Sequence, residues 1–106
     1  MRGVIIKQGL KNPLVIDGFK IVEHVFDRDP DWDMYTVEAT RDQIDRLSNQ
    51  LLDKWYAHFW DGREVVVVFK DHIFELNYDD KASWKPAVNY GLSVGIPIQQ
   101  LDFPID

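Results

Sequence analysis

Residues 55–76, WYAHFWDGREVVVVFKDHIFEL, constrain this chain more than any other segment, because they nearly write out three antiparallel strands. Asp61-Gly62 is a strong two-residue hairpin signal: a type I′ turn needs φ > 0 at both central residues, which Asp tolerates and Gly accepts freely. Lys70-Asp71 supplies a second, weaker turn. Between them Val65-Val66-Val67-Val68-Phe69 is β-branched and apolar on both faces, as a strand inside a sheet should be. Reading both loops as two residues sets a register. Trp60 opposes Arg63, His58 opposes Val65 and Tyr56 opposes Val67; across the second turn Phe69 opposes His72, Val67 opposes Phe74 and Val65 opposes Leu76. Side chains alternate between faces. One face therefore carries Tyr56, His58, Trp60, Val65, Val67, Phe69, His72, Phe74 and Leu76, and is the expected core. The other, with Trp55, Ala57, Phe59, Glu64, Val66, Val68, Ile73 and Glu75, is expected to be partly wet.

Around this meander the chain reads as one domain, residues 1–106, with no repeat or linker long enough to divide it. Gly3 to Gln8 and Phe19 to Val25 are extended candidates, separated by the turn signals Asn12-Pro13 and Asp17-Gly18. Asp27 to Asp33 reads as a polar loop interrupted by Pro30, and Tyr35 to Glu38 as a short strand. Thr40 with Gln43 forms a capping box. Ile44, Leu47, Leu51 and Leu52 then make one apolar stripe of a helix running to about Trp55. Ser83 is placed to cap a second helix, with Pro86 in its first turn, where no N–H is required. Gly95 suits the left-handed residue that ends a helix, Ile96 the contact that accompanies it, and Gly91 close packing against the sheet. Leu101 and Phe103 make the tail apolar enough to dock. The expected class is α+β: a mostly antiparallel sheet of four or five strands with two helices on one face, an arrangement that admits a ferredoxin-like relative.

The combination Trp55-Tyr56-Ala57-x-Phe59, Val66-Val67-Val68-Phe69-Lys70, Tyr90-Gly91-x-x-x-Gly95-Ile96-Pro97 and Gln100-Leu101-Asp102 resembles a family of small uncharacterised bacterial proteins of about this length. The resemblance covers roughly residues 34–104. It implies no assigned activity and transfers no catalytic residue.

Composition removes several chemistries. With no cysteine there is no disulfide, thiolate nucleophile or Cys-based zinc site. Net charge is −6 and the twelve Lys and Arg are scattered, so nucleic acid is a disfavoured partner. No window approaches the ~20 apolar residues of a membrane span. MRGVIIKQGL lacks the apolar core of a signal peptide, so a cytoplasmic protein is the expectation. Ser48, Ser83 and Ser93 have surface or capping roles, and there is no G-x-S-x-G, P-loop or G-x-G-x-x-G. In the register above, His58 and His72 stand too far apart to share a metal ion, and His24 is alone beside Glu23. Residues 27–38 superficially fit a calcium loop, with Asp27, Asp29 and Asp31 at positions one, three and five and Glu38 at twelve. Trp32 stands where that loop needs Gly, however, and Pro30 stiffens the fourth position.

What remains is a surplus of aromatics. Trp60 over Arg63 at a hairpin tip, together with Trp32, forms a candidate interaction surface, since Trp, Tyr and Arg dominate interface hot spots. The first functional expectation is a non-catalytic protein-interaction module of a bacterial cytoplasm, an accessory or immunity-type protein binding another protein, with no cofactor. The alternative is a small enzyme or ligand binder with a cleft between the 55–76 meander and a helix, using His58 or His72 with Tyr56 or Glu75. Calcium binding at 27–38 is a weaker third.

Overall fold

The computed structural model describes residues 1–28 and 31–105. Six strands, β1 (Arg2–Ile6), β2 (Lys20–Arg28), β3 (Asp31–Glu38), β4 (Tyr56–Asp61), β5 (Glu64–Phe69) and β6 (His72–Asn77), form one antiparallel sheet. Their order is β2-β3-β1-β4-β5-β6. The class is the expected α+β, and the meander β4-β5-β6 is where residues 55–76 placed it. The strand count is six rather than four or five. Residues 20–28 and 31–38 pair along their length, Arg28 opposite Asp31 and Asp27 opposite Trp32, where a polar loop was expected. Asp29 and Pro30, between them, lie outside the described residues.

The two helices, α1 (Arg41–Leu47) and α2 (Lys85–Ser93), pack on opposite faces of the sheet, not on one. Ile44 and Leu47 of α1 join Ile5, Val37, Ala57, Phe59, Val66 and Val68 in one buried cluster. Ala87 of α2 joins Trp60, Val65, Val67, Phe69 and Leu76 in another, with Ile96, Leu101 and Phe103 behind the helix. A ferredoxin-like layout keeps its helices together on one face, so the chain departs from it. The face expected to be partly wet is dry only at its centre, where Ala57, Phe59, Val66 and Val68 are at most 2 % exposed, while Glu64 and Glu75 at its margin are exposed. An all-apolar Val65–Phe69 strand is what a sheet covered on both sides requires.

The first hairpin also differs in register. Trp60 opposes Val65 and Asp61 opposes Glu64, so the two-residue loop is Gly62-Arg63. Gly62 has φ 59 and Arg63 a negative φ, which is a Gly-first turn of the II′ kind rather than an Asp-Gly type I′. The second hairpin has the expected register, Phe69 opposite His72, with Asp71 at φ 61.

Thr40 and Gln43 close the capping box on α1. The helix then ends at Leu47, well before Trp55, because tertiary bonds take over the backbone. Lys11 N–H reaches the Gln50 carbonyl (2.7 Å), Leu52 N–H reaches that of Gly9 (2.8 Å), and Leu51 bridges to Leu10. Leu52 falls off the stripe and is exposed. Asp80, not Ser83, caps the next helical segment, a 3₁₀ turn at Lys81–Trp84 that leads into α2. Pro86 sits in the first turn of α2 as expected. Its far end is a complete Schellman motif: Ile96 N–H bonds the Gly91 carbonyl (3.0 Å) and Gly95 N–H that of Leu92 (3.1 Å), with Gly95 at φ 95. Gly91 is close-packed, though against the tail. A Cβ there would lie 2.5 Å from Leu101 Cδ2.

Candidate binding groove

On the α2 side of the sheet, α2 and the C-terminal tail cover β4, β5 and β6 and stop there. Val4 and Ile6 of β1 and Trp32 of β3 look out beyond that boundary, half-buried. Between them and the tail runs a groove of about 280 Å³, lined further by Lys54, Trp55, Tyr56, His58, Gln99 and Gln100. Trp32 meets Trp55 edge to face with centroids 5.4 Å apart. Trp55 can lie where it does because Gly9 has no side chain: a Cβ there would come within 2.8 Å of the indole. The walls are thus apolar and aromatic, with one ammonium and two amides at the rim.

The floor holds two titratable groups, and both are engaged with the tail. The Tyr56 hydroxyl donates to the carbonyls of Gln100 and Asp102, the latter at 3.1 Å. His58 Nε2 lies 2.8 Å from the Pro104 carbonyl, which can only accept, so this nitrogen carries the proton. Burial pushes the Tyr56 phenol up to about 12 and pulls the His58 imidazolium below its ordinary range. Both are therefore neutral near pH 7. Phe103, fully buried, wedges edge-on against the Tyr56 ring (5.5 Å). Two polar side chains and one aromatic thus fasten the tail to β4.

The three residues expected to form an interaction surface are separated. Trp60 is 9 % exposed, opposes Val65 and stacks on His58 at 5.3 Å, so it belongs to the core. Arg63 sits in the turn and grips Asp79 with two bonds, 2.9 and 2.7 Å, its guanidinium 5.1 Å from the Tyr78 ring. The cation–π partner of Arg63 is thus Tyr78, not Trp60. Trp32 alone of the three faces the groove.

A second hollow, about 370 Å³, lies between the meander and α2, bounded by Asp53, Lys54, Trp55, Phe69, Lys70, Asp71, His72, Tyr90 and Val94. It occupies the position of the cleft that an enzyme reading would need. Two of its charged groups pair, Lys70 with Asp53 at 3.2 Å, and His72 packs on Tyr90 at 4.3 Å. Glu75 is on the opposite face from His72, bound to Arg41. His58 and His72 stand on β4 and β6 with β5 between, two rows apart rather than four. At ~4.8 Å per strand and ~3.3 Å per residue, that is still about 12 Å.

One polar centre had no signal in the sequence. His24 Nε2 contacts Asp33 Oδ1 at 2.7 Å and its ring stacks on Tyr35 at 4.1 Å and 2°. Gln8 clamps the same aspartate, donating to its carboxylate and accepting its backbone N–H, both at 2.8 Å. The hydrogen bonds from His24 and Gln8 hold the Asp33 carboxyl below the usual carboxylate range. The pairing is visible only once β2 and β3 are known to be a hairpin. Asp27, Asp31, Asp33 and Glu38 stand on these two strands, not on a calcium loop, and Asp29 is outside the described residues. Among the described residues, no three His, Asp or Glu side chains are grouped to hold a metal ion. No helix is long and apolar enough to cross a membrane. Comparison with family models, curated proteins and solved structures gives no match.

Proposed function

We propose that this protein is a non-catalytic binding module that holds a segment of another protein in the groove between β1, β3 and the C-terminal tail. The observation that carries this reading is the state of Tyr56 and His58. Each is neutral and commits its proton, the Tyr56 hydroxyl and the His58 Nε2–H, to a tail carbonyl, so neither donates it to a bound substrate. What the groove offers instead is aromatic contact area from Trp32 and Trp55. Such rings give large contact at low entropic cost and dominate binding hot spots. At about 280 Å³ the groove falls just below the ~300–1,000 Å³ of small-molecule sites, and it suits one or two side chains of a chain segment. The net charge of −6 steers basic partners toward the molecule as a whole at long range.

Selection from a random peptide library tests this directly. Enriched sequences should combine an apolar or aromatic anchor with basic flanks. Their binding should fall at least tenfold in Trp32→Ala and in Trp55→Ala, with the fold intact by circular dichroism. Failure to enrich any sequence, or binding indifferent to both substitutions, would overturn the reading.

A further inference from the structure

The sheet ends in two edges, and they are finished differently. At β6, the Asn77 N–H donates to Ser83 Oγ and its carbonyl accepts the Trp84 indole N–H, both at 3.0 Å, so the 81–84 turn closes the Asn77 end of that edge. At β2, β3 is the sole neighbouring strand and all nine residues are exposed. Ile21, Val22, Val25 and Phe26 are 44–50 % exposed there. A long edge with apolar side chains is a template for another strand.

We propose that β2 is the interface between two copies of this chain, paired antiparallel about a twofold axis at His24, so that the two six-stranded sheets become one. The occupant is identified by the pattern of the strand itself. Residues opposed across such an axis must lie on the same face of the sheet. The bulge at Val22, between the pairs Ile21–Val37 and Glu23–Thr36, shifts the alternation by one residue. Lys20, Glu23, Val25 and Asp27 consequently share one face, and Ile21, His24, Phe26 and Arg28 the other. With the axis at His24, Lys20 meets Asp27 of the second copy, Ile21 meets Phe26, and Glu23 meets Val25. Each charged or apolar pair occurs twice by symmetry. Moving the axis to Glu23 sets that carboxylate against itself, and moving it to Val25 sets Glu23 against Asp27. Among these three axes, only the one at His24, which sets that imidazole against its own copy, opposes unlike charges and brings no two carboxylates together. The bulge, often a device that spoils an edge, here brings Lys20 and Asp27 to one face.

The exposed ion pairs select register and the apolar pairs supply affinity. A single strand pair is a small interface, so the association is of the weak, concentration-dependent class. Sedimentation across a micromolar-to-millimolar series should show the 12.5 kDa chain moving toward twice that mass. Phe26→Lys should weaken association at least tenfold at unchanged melting temperature, since half of that side chain is already in water. The chain has no cysteine, so a single one reports the axis. Opposed residues have Cα atoms about 4.5–5.5 Å apart, inside the ~4.4–6.8 Å window of a disulfide. His24→Cys should therefore cross-link on oxidation, while Leu14→Cys, on a more exposed site, should not. Trp32→Ala should leave the mass distribution unchanged, which separates this interface from the groove. A chain that stays at 12.5 kDa throughout, association that survives Phe26→Lys, or equal cross-linking at the two cysteine positions would each overturn the proposal.

Discussion

His58 sets an acid limit on the fold. Burial lowers its affinity for a proton, while in the unfolded chain it titrates near ~6.5. Between those two values the unfolded state binds more protons, so stability is full above about 6.5 and declines as pH falls toward the folded value. Melting temperature should therefore drop between pH 7 and pH 5, and the drop should shrink in His58→Gln, which keeps a donor for the Pro104 carbonyl. Tyr56 gives the mirror case. Its phenol titrates at about 12 in the fold against ~10 when unfolded, so its contribution is complete below pH 10 and lost as pH rises through 12. One of the four tyrosines should show phenolate absorbance only near pH 12, and Tyr56→Phe should abolish that component. The same substitution should cost about 1 kcal/mol in denaturant unfolding. At this scale the sequence was half legible. Alternation put Trp60 on the buried face, but a hairpin shifted by two residues keeps every face and changes every neighbour. The sequence register thus sets Arg63 beside Trp60, whereas Arg63 bonds Asp79 and stands over Tyr78.

Among elements, those closed by local chemistry were legible and those closed by distant contacts were not. The Thr40–Gln43 box and the Gly95 Schellman motif each lie within a few residues of what they satisfy. The end of α1 is decided by Gly9 and Lys11, far away in sequence. The β2–β3 hairpin was hidden for another reason. An edge strand exposed on both sides needs no apolar alternation, so its aspartates imitate a loop. Two glycines test element packing. At Gly3 a Cβ would stand 2.6 Å from the His58 carbonyl and run into the Phe59 ring, with rigid backbone on one side. Gly3→Ala should cost about 2 kcal/mol or more, read from urea midpoints. Gly91→Ala gains up to about 1 kcal/mol of helix propensity but drives Leu101 from its seat. It should come out destabilising by roughly 1 kcal/mol, with the tail's amides exchanging faster.

Over the whole molecule, one sheet serves two separate cores, and the tail completes the second. Phe103 is fully buried among Tyr56, His58 and Trp84. Phe103→Ala should destabilise by about 3–5 kcal/mol. It should also release the groove wall, so that peptide binding is lost together with stability, whereas Trp32→Ala loses binding alone. Strand order was beyond the sequence because alternation records which face a residue takes, never which strand lies beside it. That order has a kinetic consequence. β2 pairs with β3 and β4–β5–β6 pair in sequence order, each between neighbours along the chain, but β1 joins them, Arg2 pairing with Glu38 on one side and Trp60 on the other. Lying ahead of both partners in sequence, β1 is thus the last strand to find both flanks. Its insertion, a long loop closure, becomes the natural rate-limiting event of folding.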